Sequence, residues 1–120
     1  VYAAARRVEQ MRHLEQQGAK LAALDLTDGP SIVASVDRVL AEDGRLDALV
    51  NNAGYGAYGA LEDVPIEEAR RQFEVNLFGL ARLVQRVLPA MRAQGAGRII
   101  NISSIGGKIH EPMGAWYHAT

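Results

Sequence analysis

The chain has 120 residues, 48% of them apolar and 22% charged, the balance of a folded protein rather than a disordered one. Its 13 Lys and Arg against 14 Asp and Glu leave a formal charge of −1, which gives no net pull toward nucleic acid or anionic lipid. The lack of cysteine excludes disulfides and thiolate metal sites, and no apolar run approaches the roughly 18 residues a membrane helix needs.

In chain order, Val1–Ala5 is short, apolar and followed by charge, and reads as a strand without a signal-peptide pattern. Val8, Met11 and Leu14 give helical spacing, stopped by Gly18. Leu21–Leu26 is a second strand, closed by the turn cluster Thr27-Asp28-Gly29-Pro30. Ser31 is placed to cap the next helix, whose stripe is Ile32, Val36, Val39 and Leu40, with Gly44 past its end. Leu46–Val50 is a third strand, bounded by the glycine-rich stretch Gly54–Gly59. After Pro65 a long helix is predicted, with the stripe Phe73, Leu77, Leu80, Val84, Val87, Leu88 and Met91 and a bend at Pro89. Arg98–Ser103 is a fourth strand. Apolar strands alternating with amphipathic helices predict a doubly wound α/β fold with a parallel sheet and helices on both faces.

Gly54-Tyr55-Gly56-Ala57-Tyr58-Gly59 has the literal spacing G-x-G-x-x-G after a strand. A phosphate cradle also needs the third glycine to open a helix, and Ala60–Pro65 intervenes, so the stretch reads as a flexible loop. His13, His110 and His118 are scattered, no carboxylate–His spacing suggests a metal, and they read as solvated.

More telling is a set in order along the chain: Asn51-Asn52-Ala53-Gly54 at a strand end, Asn76 inside the long helix, Ser103-Ser104 ending the fourth strand, and Tyr117 beyond. Together these resemble the short-chain dehydrogenase/reductase family over essentially the whole chain, which implies a Rossmann-like sheet. The resemblance implies that Tyr117 is the general acid/base, that Ser104 places the substrate oxygen, and that Asn76 holds a water in the proton relay. Hydride transfer at carbon requires the oxygen to gain or lose a proton, and a phenol must be drawn toward neutrality to provide it.

Cofactor preference in this family is read at the end of the strand that Val1–Ala5 would represent. Arg6 and Arg7 stand there with no acid, which implies NADP rather than NAD, because guanidinium suits a 2′-phosphate. Asp25 would contact the adenine, and Asn52, Ala53, Gly54 and Tyr117 would line the cofactor. The mostly apolar segment between Ser104 and Tyr117, with Ile109, Met113 and Trp116, implies a bulky, weakly polar small-molecule carbonyl compound or alcohol as substrate. The resemblance implies a cytoplasmic homo-oligomer with no nucleic acid or membrane partner. The alternatives are a non-catalytic dinucleotide-binding protein and an extended-type nucleotide-sugar epimerase or dehydratase.

The family's first strand, its glycine-rich pyrophosphate loop and the lysine of its Y-x-x-x-K motif would lie before Val1 and after Thr120. The chain is therefore expected to be one partial dinucleotide-binding oxidoreductase domain. In the family strand order 3-2-1-4-5-6, its four strands are two, three, four and five. Two half-sheets are expected, about 9–10 Å apart, with no ladder between Val1–Ala5 and Leu46–Val50 and with exposed edges that make the isolated chain unstable.

Overall fold

In a computed structural model describing all residues, Val1–Thr120, strand β1 (Tyr2–Ala5) lies parallel to β2 (Lys20–Ala23), with Tyr2 opposite Lys20 and Ala5 opposite Ala23. Strand β3 (Ala48–Asn51) lies parallel to β4 (Arg98–Asn101), with Ala48 opposite Arg98 and Asn51 opposite Asn101. No backbone ladder joins the two pairs, as the strand order predicted. Parallel neighbours need crossover connections, and helices supply them in both halves.

The first connection is a 3₁₀ helix, Val8–Gln17, ended by Gly18 in the left-handed region. Val8, Met11 and Leu14 are its half-buried residues, and their three-residue spacing is the 3₁₀ period itself. Strand β2 stops earlier than expected, because Asp25 turns the chain by accepting from both the backbone N–H and the hydroxyl of Thr27.

Helix α1 (Gly29–Asp43) begins differently from the sequence reading: its cap is Asp28, whose carboxylate accepts from the Ser31 N–H at 3.2 Å. The Ser31 hydroxyl reaches back instead, accepting from the Asp25 N–H at 2.9 Å. The physical reason is reach: with Pro30 already in the first turn, Asp28 is the residue whose side chain meets the third helical N–H.

The long helical stretch comprises α2 (Ile66–Phe73), one π-helical segment (Glu74–Gly79) and α3 (Leu80–Gln94). The helix continues through Pro89, and the departure from α geometry falls at Glu74–Gly79. Pro89 and Gln85, whose carbonyl loses its partner, are both exposed, so water can satisfy that group. The buried line is Ala69, Gln72, Gly79, Leu83, Val87 and Met91, whereas Leu77, expected in the core, is 41% exposed. Leu83, Val87 and Met91 pack on Leu26, Ile32 and Val36, with Leu24, Leu40, Leu46, Leu49 and Ile99 around them. A 3₁₀ turn (Ile105–Gly107) and helix α4 (Ala115–Ala119) complete the chain.

Candidate functional site

A cavity of about 560 Å³ opens beyond the carboxyl ends of β1 and β2. Arg6 and Arg7 leave β1 directly into its wall, Asp25 follows β2, and Ala53 and Gly54 follow β3. This is where open α/β sheets bind ligands. Asn52 does not line the cavity. Arg6 and Arg7 take part in no direct ion pair, and with Arg71 they outnumber the two carboxylates on the same wall, Asp25 and Glu68. The two bonds from Thr27 hold the Asp25 carboxyl below the usual carboxylate range, with Arg6 and Arg71 adding to the effect. A phosphorylated, adenine-bearing dinucleotide fits such a donor set: guanidinium forks for a phosphate and a carboxylate for amine or hydroxyl groups.

Across the sheet, Tyr117 lies on α4, half-buried, and its phenol oxygen makes no hydrogen bond within the protein. Its ring centroid lies 5.7 Å from that of Tyr58 and 6.0 Å from that of His118. Ser104 follows β4, and its Oγ accepts from the Gly106 N–H at 3.1 Å. That bond leaves the Ser104 hydroxyl proton free to donate. The Tyr117 ring also flanks Gly106, where an added Cβ would stand 3.2 Å from Tyr117 Cε1. Both expected catalytic groups therefore border one glycine.

Asn76 sits in the π-helical segment with its side chain fully occupied as a donor. Its Nδ2 donates to the Tyr55 carbonyl at 2.8 Å and to the Thr120 Oγ1 at 3.0 Å, while its Oδ1 accepts from the Tyr55 N–H at 3.0 Å. Thr120 Oγ1 in turn donates to the Tyr117 carbonyl at 3.0 Å, so a polar thread runs from the long helix to α4.

His118 differs from the solvated expectation. Its Nε2 accepts from the Glu111 N–H at 3.0 Å and its Nδ1 lies 2.9 Å from the Gly106 carbonyl. Only the neutral ring with its proton on Nδ1 makes both bonds. The glycine-rich stretch is likewise neither a phosphate cradle nor loose. No helix opens at Gly59, since α2 begins at Ile66. The Tyr55 hydroxyl donates to Glu68 Oε1 at 2.8 Å, and the Ala57 N–H donates to Gln72 Oε1 at 2.6 Å. Burial, then the Glu68 carboxylate, raises the Tyr55 phenol above its ordinary pKa.

Glu68, Gln72 and Arg71 escaped the sequence reading. Arg71 reaches the first cavity from α2. The one signal for the others was spacing: Glu68, Gln72 and Asn76 recur every four residues, a polar stripe on a helix whose pattern is otherwise read from its apolar residues.

No helix is long and apolar enough to cross a membrane. The family model for short chain dehydrogenases matches residues 1–120. A 3-ketodihydrosphingosine reductase of Bacteroides thetaiotaomicron is 42% identical over 101 residues, covering 84% of this chain and 38% of that protein. A short-chain dehydrogenase from Streptomyces avermitilis superposes with a TM-score of 0.93 at 42% identity, covering 99% of this chain and 45% of the other. A metagenomic short-chain oxidoreductase in complex with NADP superposes with a TM-score of 0.92 at 40% identity, covering 99% of this chain and 57% of the other. The chain spans about two fifths of the length of the curated relatives it matches. With its motifs on the matching elements and the match running from its first residue to its last, the chain belongs to the short-chain dehydrogenase family.

Proposed function

We propose that these residues form part of one dinucleotide-binding domain of an NADP(H)-preferring oxidoreductase that interconverts a carbonyl compound and an alcohol. The observation that carries the reading is the pairing of the two sites. Guanidinium groups free of direct ion pairs line the cavity on one side, and on the other the Tyr117 ring and the Ser104 hydroxyl both border Gly106. The NADP-bound metagenomic relative and the ketone named in the Bacteroides reductase support both halves.

Arg6 and Arg7 would hold the 2′-phosphate, Asp25 the adenine side, and Asn52, Ala53, Gly54 and Tyr117 the remainder. When bound, the cofactor supplies or accepts the hydride. Ser104 donates its hydroxyl proton in a hydrogen bond to the substrate oxygen and fixes its place. Tyr117 gives its phenolic proton to that oxygen in the reducing direction and takes it back in the oxidising one. The Asn76 Oδ1 keeps a second lone pair, which would hold the water that restores the proton.

The test is turnover in the full-length protein. Tyr117→Phe should lower kcat by about 10²–10⁴-fold while leaving the Kd for NADPH nearly unchanged. Turnover within about tenfold of wild type would move the acid/base role to another group. The proposed enzyme works on a small molecule in the cytoplasm, as a homo-oligomer; a monomer mass in analytical ultracentrifugation would remove that last clause.

A further inference from the structure

We propose that Gln72 is a positioning residue and Tyr58 the side chain it positions, together making a preset aromatic wall that selects substrates with a bulky apolar body. The inference rests on the carbonyl–alcohol reading above.

Glu68, Gln72 and Asn76 present three polar side chains on one face of α2 and the π segment, and each takes a different piece of the 54–59 loop. Glu68 takes the Tyr55 hydroxyl, Gln72 the Ala57 N–H, and Asn76 both sides of the Tyr55 backbone. Gln72 is the informative member. It is 0% exposed, and its Nε2 donor has no partner. An orphaned buried donor lowers stability, and a methionine of similar size would avoid the cost. The one thing glutamine adds there is an acceptor for Ala57.

On the other side of Tyr58, the Gly59 N–H donates to the Met113 carbonyl at 2.8 Å. Met113 holds φ at 69°, a region that residues with a Cβ rarely occupy, so the second anchor is kept against local strain. Tyr58 is thus pinned at both neighbours. Its ring meets that of Tyr117 at 47° and has a seat prepared for it. A Cβ at Gly56 would lie 2.8 Å from Tyr58 Cε2, and one at Gly114 would lie 3.2 Å from Cε1. Tyr58 is nevertheless 53% exposed, and Ile105, Ile109 and Met113 on the segment leading to Tyr117 are exposed too. A rigid, exposed aromatic face against the proposed acid/base suits the apolar body of the molecule whose oxygen that group serves.

The experiment measures kcat and KM of the full-length protein with NADPH and two probes, α-tetralone and 2-butanone. Tyr58→Ala should lower the preference for α-tetralone about tenfold, through KM, while Tyr58→Phe keeps that preference. Gln72→Met should reproduce the loss without lowering Tm, and Gln72→Met with Tyr58→Ala should be no worse than either alone, because one acts through the other. Equal losses on both ketones, or additive losses in the double variant, would overturn the proposal. A wild-type protein that reduces neither ketone would overturn the functional reading and this inference with it, whereas turnover with unchanged preference in Tyr58→Ala sinks the inference alone.

Discussion

The polar groups around the first cavity and those around Tyr117 are provided for in opposite ways. Arg6, Arg7 and Arg71 face open space and form no ion pair. Asn76, Ser104, His118 and Thr120 are all engaged with backbone groups or with one another. On the proposed reading the cavity is an anion-binding surface that keeps its arginines free of direct ion pairs, although Asp25 and Glu68 share the wall. The surface around Tyr117, catalytic on the proposed reading, has its geometry fixed, and small displacements of reacting groups are costly in rate. The tyrosine hydroxyl is the exception that such fixing serves.

The largest effect that would sharpen this contrast lies in the open half. Arg6→Asp with Arg7→Ala should weaken NADP by about 100-fold, from two lost charge-assisted contacts, and NAD far less. Arg71→Ala should weaken NADP by about tenfold. Calorimetric titration with both nucleotides checks each, and equal losses for NADP and NAD would make the arginines structural and erase the distinction.

A smaller effect is expected in the occupied half. His118→Ala removes two hydrogen bonds between α4 and the 105–111 segment. It should lower stability by about 1–2 kcal/mol and speed hydrogen exchange at Glu111. Unchanged exchange at that amide would show that the segment holds itself without the ring.

The smallest effect concerns the charged cluster beneath the open half. Glu42 accepts from Arg38 at 2.7 Å and from the Tyr2 hydroxyl at 2.7 Å, with Lys20 at 3.2 Å. These partners, Arg38 first, bring its carboxyl down to about 2 from an ordinary 4.5. A carboxylate held low in the folded state stabilises above its unfolded pKa, and that contribution fades as pH falls from 4.5 toward 2. The cluster is solvent-exposed, so the fall in Tm over that window should be small, and Glu42→Gln should flatten it. An identical acid slope in the variant would assign the loss to other carboxylates.

Much of this was legible before the structure. The alternation of apolar runs and helical periods located all four strands to within a few residues, and the split into two pairs followed from strand order. Arg6, Arg7, Asp25, Ala53 and Gly54 do line one cavity, because each follows the carboxyl end of a parallel strand. Asn52, next to them in sequence, does not. Hidden from the sequence was the buried polar face of the long helix. Hydrophobic periodicity favours Leu77, which is exposed, over Gln72, which is buried.

What the sequence determined by itself is local: element order, the glycine stops at Gly18 and Gly44, and the motif residues at strand ends. These depend on backbone preferences and short spacings, which neighbouring residues settle among themselves. Only the tertiary structure decided that Arg71 joins the arginines of another element and that His118 ties down a loop. It alone decided that a glutamine occupies a core position to hold Ala57. The His118 and Gln72 outcomes pair a side chain with a backbone group of another segment. Such pairs form only once the fold has brought the two segments together, and burial strengthens them.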